Sequence, residues 1–123
     1  MITQIALVGL GGGAGSILRF LTSYFTVKAG TFTFPVATLI VNIVGCLLIG
    51  FLSGIALKQH WLDVNMRLLL MTGFCGGFTT FSAFSLENIQ LFQAGQYVSL
   101  VLYVLASIVF GFAAVGAGLV ITK

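Results

Sequence analysis

Charge is what this sequence has least of. Only 6% of its 123 residues are Asp, Glu, Lys or Arg, against about 25% in an ordinary soluble domain. That scarcity excludes a fold with a water-covered surface, because too few groups exist to hydrate one. With 59% hydrophobic residues and a mean hydropathy of +1.20, the solvent that suits the chain is lipid. Metal-binding and catalytic groups are also scarce. The one histidine, His60, stands in a short loop beside Trp61 and Asp63, too small a segment to build a site around. The two cysteines, Cys46 and Cys75, fall inside apolar runs and form no CxxC pair, so they read as small packing residues. No nucleophile–base pair and no metal-ligand spacing occurs, which makes an enzyme the poorest reading. A net charge of +3, scattered along the chain, does not suggest nucleic-acid binding. The N-terminus lacks the positive n-region of a signal peptide, so the first helix is expected to be retained.

What is present is long apolar sequence. Residues 1–18, 29–57, 68–86 and 88–122 carry no charge. Crossing the hydrocarbon core takes about 20 residues of helix. The runs are continuous rather than alternating, which favours helices over barrel strands. The expected architecture is all-α and membrane-integral, a single domain over residues 1–123. Its four transmembrane helices are expected at about 3–27, 34–56, 66–92 and 97–121.

Basic residues distribute almost evenly between the two sides. Lys58, Arg67 and Lys123 fall on one, while Lys28 lies on the other and Arg19 points toward it. Lys and Arg normally gather on the cytoplasmic side. So small a bias leaves two possibilities open: a weakly biased one-way insertion, or dual topology with antiparallel pairing. Small-xxx-small spacings are dense at Gly9/Gly13, Gly11/Gly15, Gly50/Gly54 and Gly73/Gly77. They serve close helix approach within the chain, in a homodimer, or in both. The run Gly9-Leu-Gly-Gly-Gly-Ala-Gly15 looks superficially like a phosphate loop. No strand precedes it and no GK[ST] follows, so nucleotide binding is set aside.

Polar groups inside a membrane are costly, and each needs an account. The third span holds most of them, in Gly73-Phe-Cys-Gly-Gly-Phe-Thr-Thr-Phe-Ser-Ala-Phe-Ser-Leu-Glu87. Gly76-Gly77 followed by Thr79-Thr80 predicts a helix break near the midpoint, since paired glycines weaken a helix and β-branched threonines do not repair it. Unwound backbone at that depth survives only when buried in protein or lining a cavity. Its carbonyls could hold a cation, and the following half-helix could face an anion. Thr79, Ser82 and Ser85 recur at i+3 beside Phe78, Phe81 and Phe84. Hydroxyls donate hydrogen bonds to anions, and phenyl edges carry the positive end of the ring quadrupole. Space filling and hydroxyl bonding to the preceding turn account for the same residues without any ligand. Asn42 is an amide donor in the second span, and Ser99, Tyr103 and Ser107 share a face of the fourth. These can be pathway or interhelical glue. Arg19 and Glu87, the only charges well inside the spans, can pair, snorkel or line an entrance.

Three segments carry a family resemblance. They are Gly11-Gly-Gly-Ala-Gly-Ser-Ile-Leu-Arg19-Phe20, Thr38-Leu-Ile-Val-Asn42-Ile-Val-Gly45 and the Gly73 to Glu87 run. Through them the chain resembles, along essentially its whole length, the Fluc (CrcB-type) fluoride ion channels. The resemblance implies an antiparallel, dual-topology homodimer in the plasma (inner) membrane, with two fluoride pores and passive fluoride export. Asn42 matches the pore-lining asparagine. Phe81 and Phe84 match the phenylalanines whose edges face the ion, while Ser82 and Ser85 match the polar track, joined by Tyr103 and Ser107. Arg19 and Glu87 match residues near the pore mouths. Gly76 and Thr79 match positions whose backbone carbonyls hold a structural sodium ion at the dimer interface. Ala83 departs from the pattern, which usually has Thr there, so one hydroxyl of the track is missing.

Rival readings fare less well. A small multidrug exporter has a similar length and helix count but needs a carboxylate in its first helix. Here that helix has Arg19 and no acid. An accessory subunit without transport activity is the other alternative.

Overall fold

The computed structural model describes residues 1–30, 34–59 and 62–123. His60 and Trp61 therefore lie outside the described residues. Among the described residues the protein is all-helical, with four helices long and apolar enough to cross a membrane. We label them α1 (Ile2–Ala29), α2 (Val36–Ala56), the two halves of the third span, α3 (residues 64–78) and α4 (Phe81–Gln93), and α5 (Tyr97–Ile121). α2 and α5 lie within charge-free runs, whereas α1 continues past Arg19 and Lys28 to Ala29 and the third span includes Arg67 and Glu87.

The turns are built by a few local devices. Asp63 caps α3 by accepting from the Met66 N–H at 3.0 Å. Arg67, one turn in, folds back and donates to the Leu62 and Ala56 carbonyls at 3.1 and 3.2 Å. It thereby neutralises the carbonyl end of α2 and ties it to the start of α3. Between α4 and α5, Gly95 takes a left-handed φ of 74°. The Gln96 N–H then reaches the Leu91 carbonyl and the Gly95 N–H that of Phe92, at 2.9 and 3.0 Å. These paired bonds form a Schellman stop, which turns the chain back in two residues.

Packing relies on glycine more than on large side chains. α1 lies against α3 so closely that a Cβ at Gly11 would overlap the Leu69 carbonyl, and one at Gly15 the Phe74 carbonyl. From the other side Gly77 meets the backbone of Gly12, and Gly73 that of Val8. α2 and α5 form the second tight pair, with Gly50 against Val115 and Gly118 against the α2 backbone. Without a hydrophobic drive between helices in lipid, such backbone approach is what dispersion and weak polar contacts need. Gly9 and Gly13 have nothing within 4 Å, so that pair is not part of the packing within the chain. Within α3, residues Leu68–Cys75 form π-helical turns. The wider coil is rare and tends to occur at functional sites.

Candidate functional site

The third span is interrupted where Thr79 and Thr80 become extended, with φ, ψ of −90°, 160° and −153°, 121°. The interruption falls on the threonines. Gly76 and Gly77 remain helical. Gly77 is small because Gly12 passes against it, not because the backbone unwinds there. The β-branched pair prefers extended backbone.

Residues from four helices hold this opened backbone. Asn42 of α2 closes a two-bond ring on Thr80: its Oδ1 accepts the Thr80 N–H at 2.8 Å, and its Nδ2 donates to the Thr80 carbonyl at 3.2 Å. The Thr80 hydroxyl caps α4 by accepting from the Ala83 N–H at 3.2 Å. The Thr79 hydroxyl donates back to the Cys75 carbonyl at 2.8 Å, and its methyl occupies the space where Gly45 lacks a side chain. Arg19 of α1 donates Nε–H to the Gly77 carbonyl at 3.1 Å. A cation there complements the negative end of α3. Thr80 N–H and Ala83 N–H would serve the Gly76 and Thr79 carbonyls in an unbroken helix. Both donors are diverted, so those carbonyls keep their lone pairs.

Beside the break lies an open groove of about 500 Å3 between α2, α3, α4 and α5. Asn42, Thr79, Phe81, Phe84 and Ser107 all line it. The Ser107 hydroxyl is buried with no hydrogen-bond partner. From the groove an aromatic series leads toward the other end of the bundle. Phe81 and Phe84 are 5.8 Å apart between ring centroids, Phe84 and Tyr103 4.9 Å, and Tyr103 and Phe34 5.4 Å. Tyr103 is fully buried and donates its O–H to Glu87 Oε1 at 2.8 Å. Thr38 donates to Glu87 Oε2, also at 2.8 Å. Glu87, Thr38 and Phe34 line a second cavity of about 290 Å3 at the end where α1 gives way to α2.

The structure thus brings together Asn42, Phe81, Phe84, Tyr103, Ser107 and Glu87. It separates others that the sequence grouped. Thr79 belongs to the groove, while Ser82 and Ser85 are not among its lining residues. Ser82 is exposed, with its Oγ 3.2 Å from the Thr80 hydroxyl. Arg19 and Glu87 do not pair. Each is engaged separately, one by the break and the other by two hydroxyls. Thr38 and Phe34 were not expected at the site. Thr38 stands four residues before Asn42, one turn away on the same face of α2, and that spacing was the available signal.

The sequence matches known proteins along almost its whole length. Residues 6–119 match the family described as CrcB-like protein, Camphor Resistance (CrcB). A protein of Azobacteroides pseudotrichonymphae named "Fluoride-specific ion channel FluC" is 53% identical over all of this chain and 98% of its own length. Proteins with the same name from Flavobacterium psychrophilum and Phocaeicola vulgatus are 48% and 44% identical. The first match covers 97% of this chain and 96% of the relative, the second 94% and 95%. With a four-helix membrane bundle, an interrupted third span and near-complete coverage by the family pattern, this chain belongs to the CrcB family.

Proposed function

We propose that this protein is a fluoride-selective ion channel of the plasma membrane, giving passive export of fluoride, and that it works as an antiparallel homodimer with two pores. The observation that carries the reading is the neutral, donor-bearing series from the groove to Glu87, with no fixed cation along it. The names of its relatives supply the ion.

Fluoride is small and strongly hydrated, so a pathway must replace its shell. Asn42 uses one Nδ2 hydrogen on Thr80, and its second remains available. The Ser107 hydroxyl is a buried donor without a protein acceptor. Phe81 and Phe84 add the positive edges of their rings. A buried cation in their place would hold the ion too tightly, and conduction needs exit as well as entry. At the far end the Glu87 carboxylate already accepts from Tyr103 and Thr38. An arriving fluoride competes with it for the same two hydroxyls. Arg19 is committed to Gly77 and acts on the break more than on the ion.

Gly76 and Thr79 suit a sodium ion between the two copies. Their carbonyls lack helical donors, Gly76 has no heavy atom nearer to a would-be Cβ than Met71 O at 4.0 Å, and oxygen ligands favour hard cations. Sodium there would neutralise carbonyl dipoles from both chains and hold the dimer together. Dual insertion fits the nearly balanced basic residues: Lys58, Arg67 and Lys123 against Arg19 and Lys28.

The test is fluoride efflux from liposomes loaded with potassium fluoride. Valinomycin carries the compensating charge, and an external fluoride electrode records release. Fast release without chloride release supports a selective channel. No release from a folded dimer overturns it. Labelling of a tag at Lys123 from one side of the membrane only would overturn dual topology.

A further inference from the structure

A second groove, of about 590 Å3, runs between α1 and α2 and takes no part in the proposed ion path. Leu18, Leu21 and Phe25 form one wall, Val36 and Ile40 the other. Leu18, Phe25 and Ile40 are all exposed in the chain. Thr22 and Thr26 also line the groove, but each hydroxyl donates back one turn, to the Leu18 and Thr22 carbonyls at 2.9 and 2.6 Å. Neither needs a partner from outside, so the groove is apolar in practice. At about 100° of rotation per residue, Val36 and Ile40 stand on the side of α2 opposite Gly45 and Ile49, which line the groove beside the break. Two copies that meet at Gly76 and Thr79 therefore leave the α1–α2 groove facing lipid. That outward placement rests on the dimer proposed above.

Its dimensions choose the occupant. Leu18 to Ala29 spans about 16 Å of helix, close to one leaflet of a hydrocarbon core about 30 Å thick. The volume over that length gives a mean cross-section of about 36 Å2. A helix about 10–12 Å across needs more than twice that area, so a helix of a second copy does not enter. A single extended acyl chain does. At the rim stands Lys28, three residues beyond Phe25 and seven beyond Leu21, on the same side of α1 as both. Its ammonium lies over the Tyr24 ring, 5.5 Å from the centroid. No acidic residue lines this groove or the surface around Lys28. Lysine and tyrosine near a helix end lie at headgroup level, where a lysine attracts anionic lipid. We propose that the α1–α2 groove holds one acyl chain of an anionic phospholipid whose phosphate pairs with Lys28. In an antiparallel dimer the two sites open to opposite leaflets.

The probe is phosphatidylglycerol, set against phosphatidylcholine of the same chain length. Each is added to the delipidated protein in detergent, and bound lipid is counted by native mass spectrometry. The expected result is one retained lipid per chain, with phosphatidylglycerol held about fivefold more tightly, the effect of one basic group beside an anionic headgroup. Lys28→Gln should abolish that preference and Lys28→Arg should restore it. Ile40→Trp, which fills the groove, should lower retention at least tenfold. No retained lipid, equal retention of both headgroups, or retention unchanged in Ile40→Trp overturns the site. Loss of the dimer in Ile40→Trp puts a second copy in the groove and overturns it too. The count and the preference on the native protein decide the matter even where Ile40→Trp does not fold. Fluoride efflux separates the two proposals. Lipid retention by a protein without efflux upholds the site and sinks the channel. Efflux from a protein that retains no lipid does the reverse.

Discussion

The two halves of the third span are held in opposite ways. The α3 half is anchored through backbone: Gly73 and Gly77 meet α1 at distances that admit no side chain, and Cys75 and Phe78 are buried. The α4 half is held by side chains alone. Leu91 is its one buried residue, while Phe81, Leu86, Ile89 and Phe92 are exposed, Phe81 to 78%. Stability therefore concentrates in α3, while α4 carries the phenylalanines whose edges are proposed to face the ion. The break between them separates a scaffold from a working surface, and Asn42 sits at the joint. Functional elements are commonly drawn from the less tightly packed part of a fold, because they must rearrange around a ligand.

Substitutions can break this contrast or sharpen it, and their effects should fall in order. Gly15→Leu should be the most damaging, because its Cβ alone overlaps the Phe74 carbonyl and backbone cannot step aside. Overpacking costs about 1–3 kcal/mol where neighbours can adjust, and more is expected here. The readout is loss of the monodisperse species in size exclusion. Gly13→Ala, which meets nothing within 4 Å, is the control and should leave that profile unchanged. Asn42→Ala comes next. It strands the Thr80 N–H and carbonyl at the joint, at roughly 1–3 kcal/mol for each buried group left unpaired. Thermal unfolding should shift downward and efflux should fall at least about tenfold, the equivalent of about 1.4 kcal/mol in a barrier.

Phe81→Ile with Phe84→Ile tests the contrast most directly. Because Phe81 is so exposed, the fold should persist while fluoride efflux falls by roughly tenfold or more, if the ring edges act on the ion. Undiminished efflux would remove the aromatic edges from the mechanism. Tyr103→Phe should have the smallest effect on folding. The ring and its contacts with Phe84 and Phe34 remain, and only the bond to Glu87 is lost, while Thr38 still donates to the other carboxylate oxygen. If Tyr103 also serves the ion, efflux should drop while the unfolding temperature moves only slightly.

Much of this was legible along the chain. The four apolar helices follow from the spacing of the few charges. The interruption was legible too, from Gly76-Gly77 and Thr79-Thr80 together. Which pair opens was not. Local propensity places glycine and β-branched residues alike among poor helix formers, and the neighbour decides. Gly77 stays helical because α1 packs on it, and Thr79–Thr80 unwinds because Asn42 offers the lost hydrogen bonds. The i+3 stripe of Thr79, Ser82 and Ser85 placed all three on the half-helix that follows the break. The break rotates Thr79 out of that register and into the groove. The π-helical turns of Leu68–Cys75 have no signature in an apolar run such as Leu-Leu-Leu-Met.

By itself, then, the sequence determined the solvent, the secondary structure and the inventory of polar groups. A chain with so little charge must live in lipid, and lipid demands that backbone bonds be satisfied within helices. The tertiary structure alone decided which polar groups meet. Thr38 and Tyr103 converge on Glu87, Asn42 closes on Thr80, and Arg19 turns from Glu87 to Gly77. These pairings depend on how far glycine lets each helix approach its neighbour, and that distance is a property of two segments at once, which no single stretch of sequence contains.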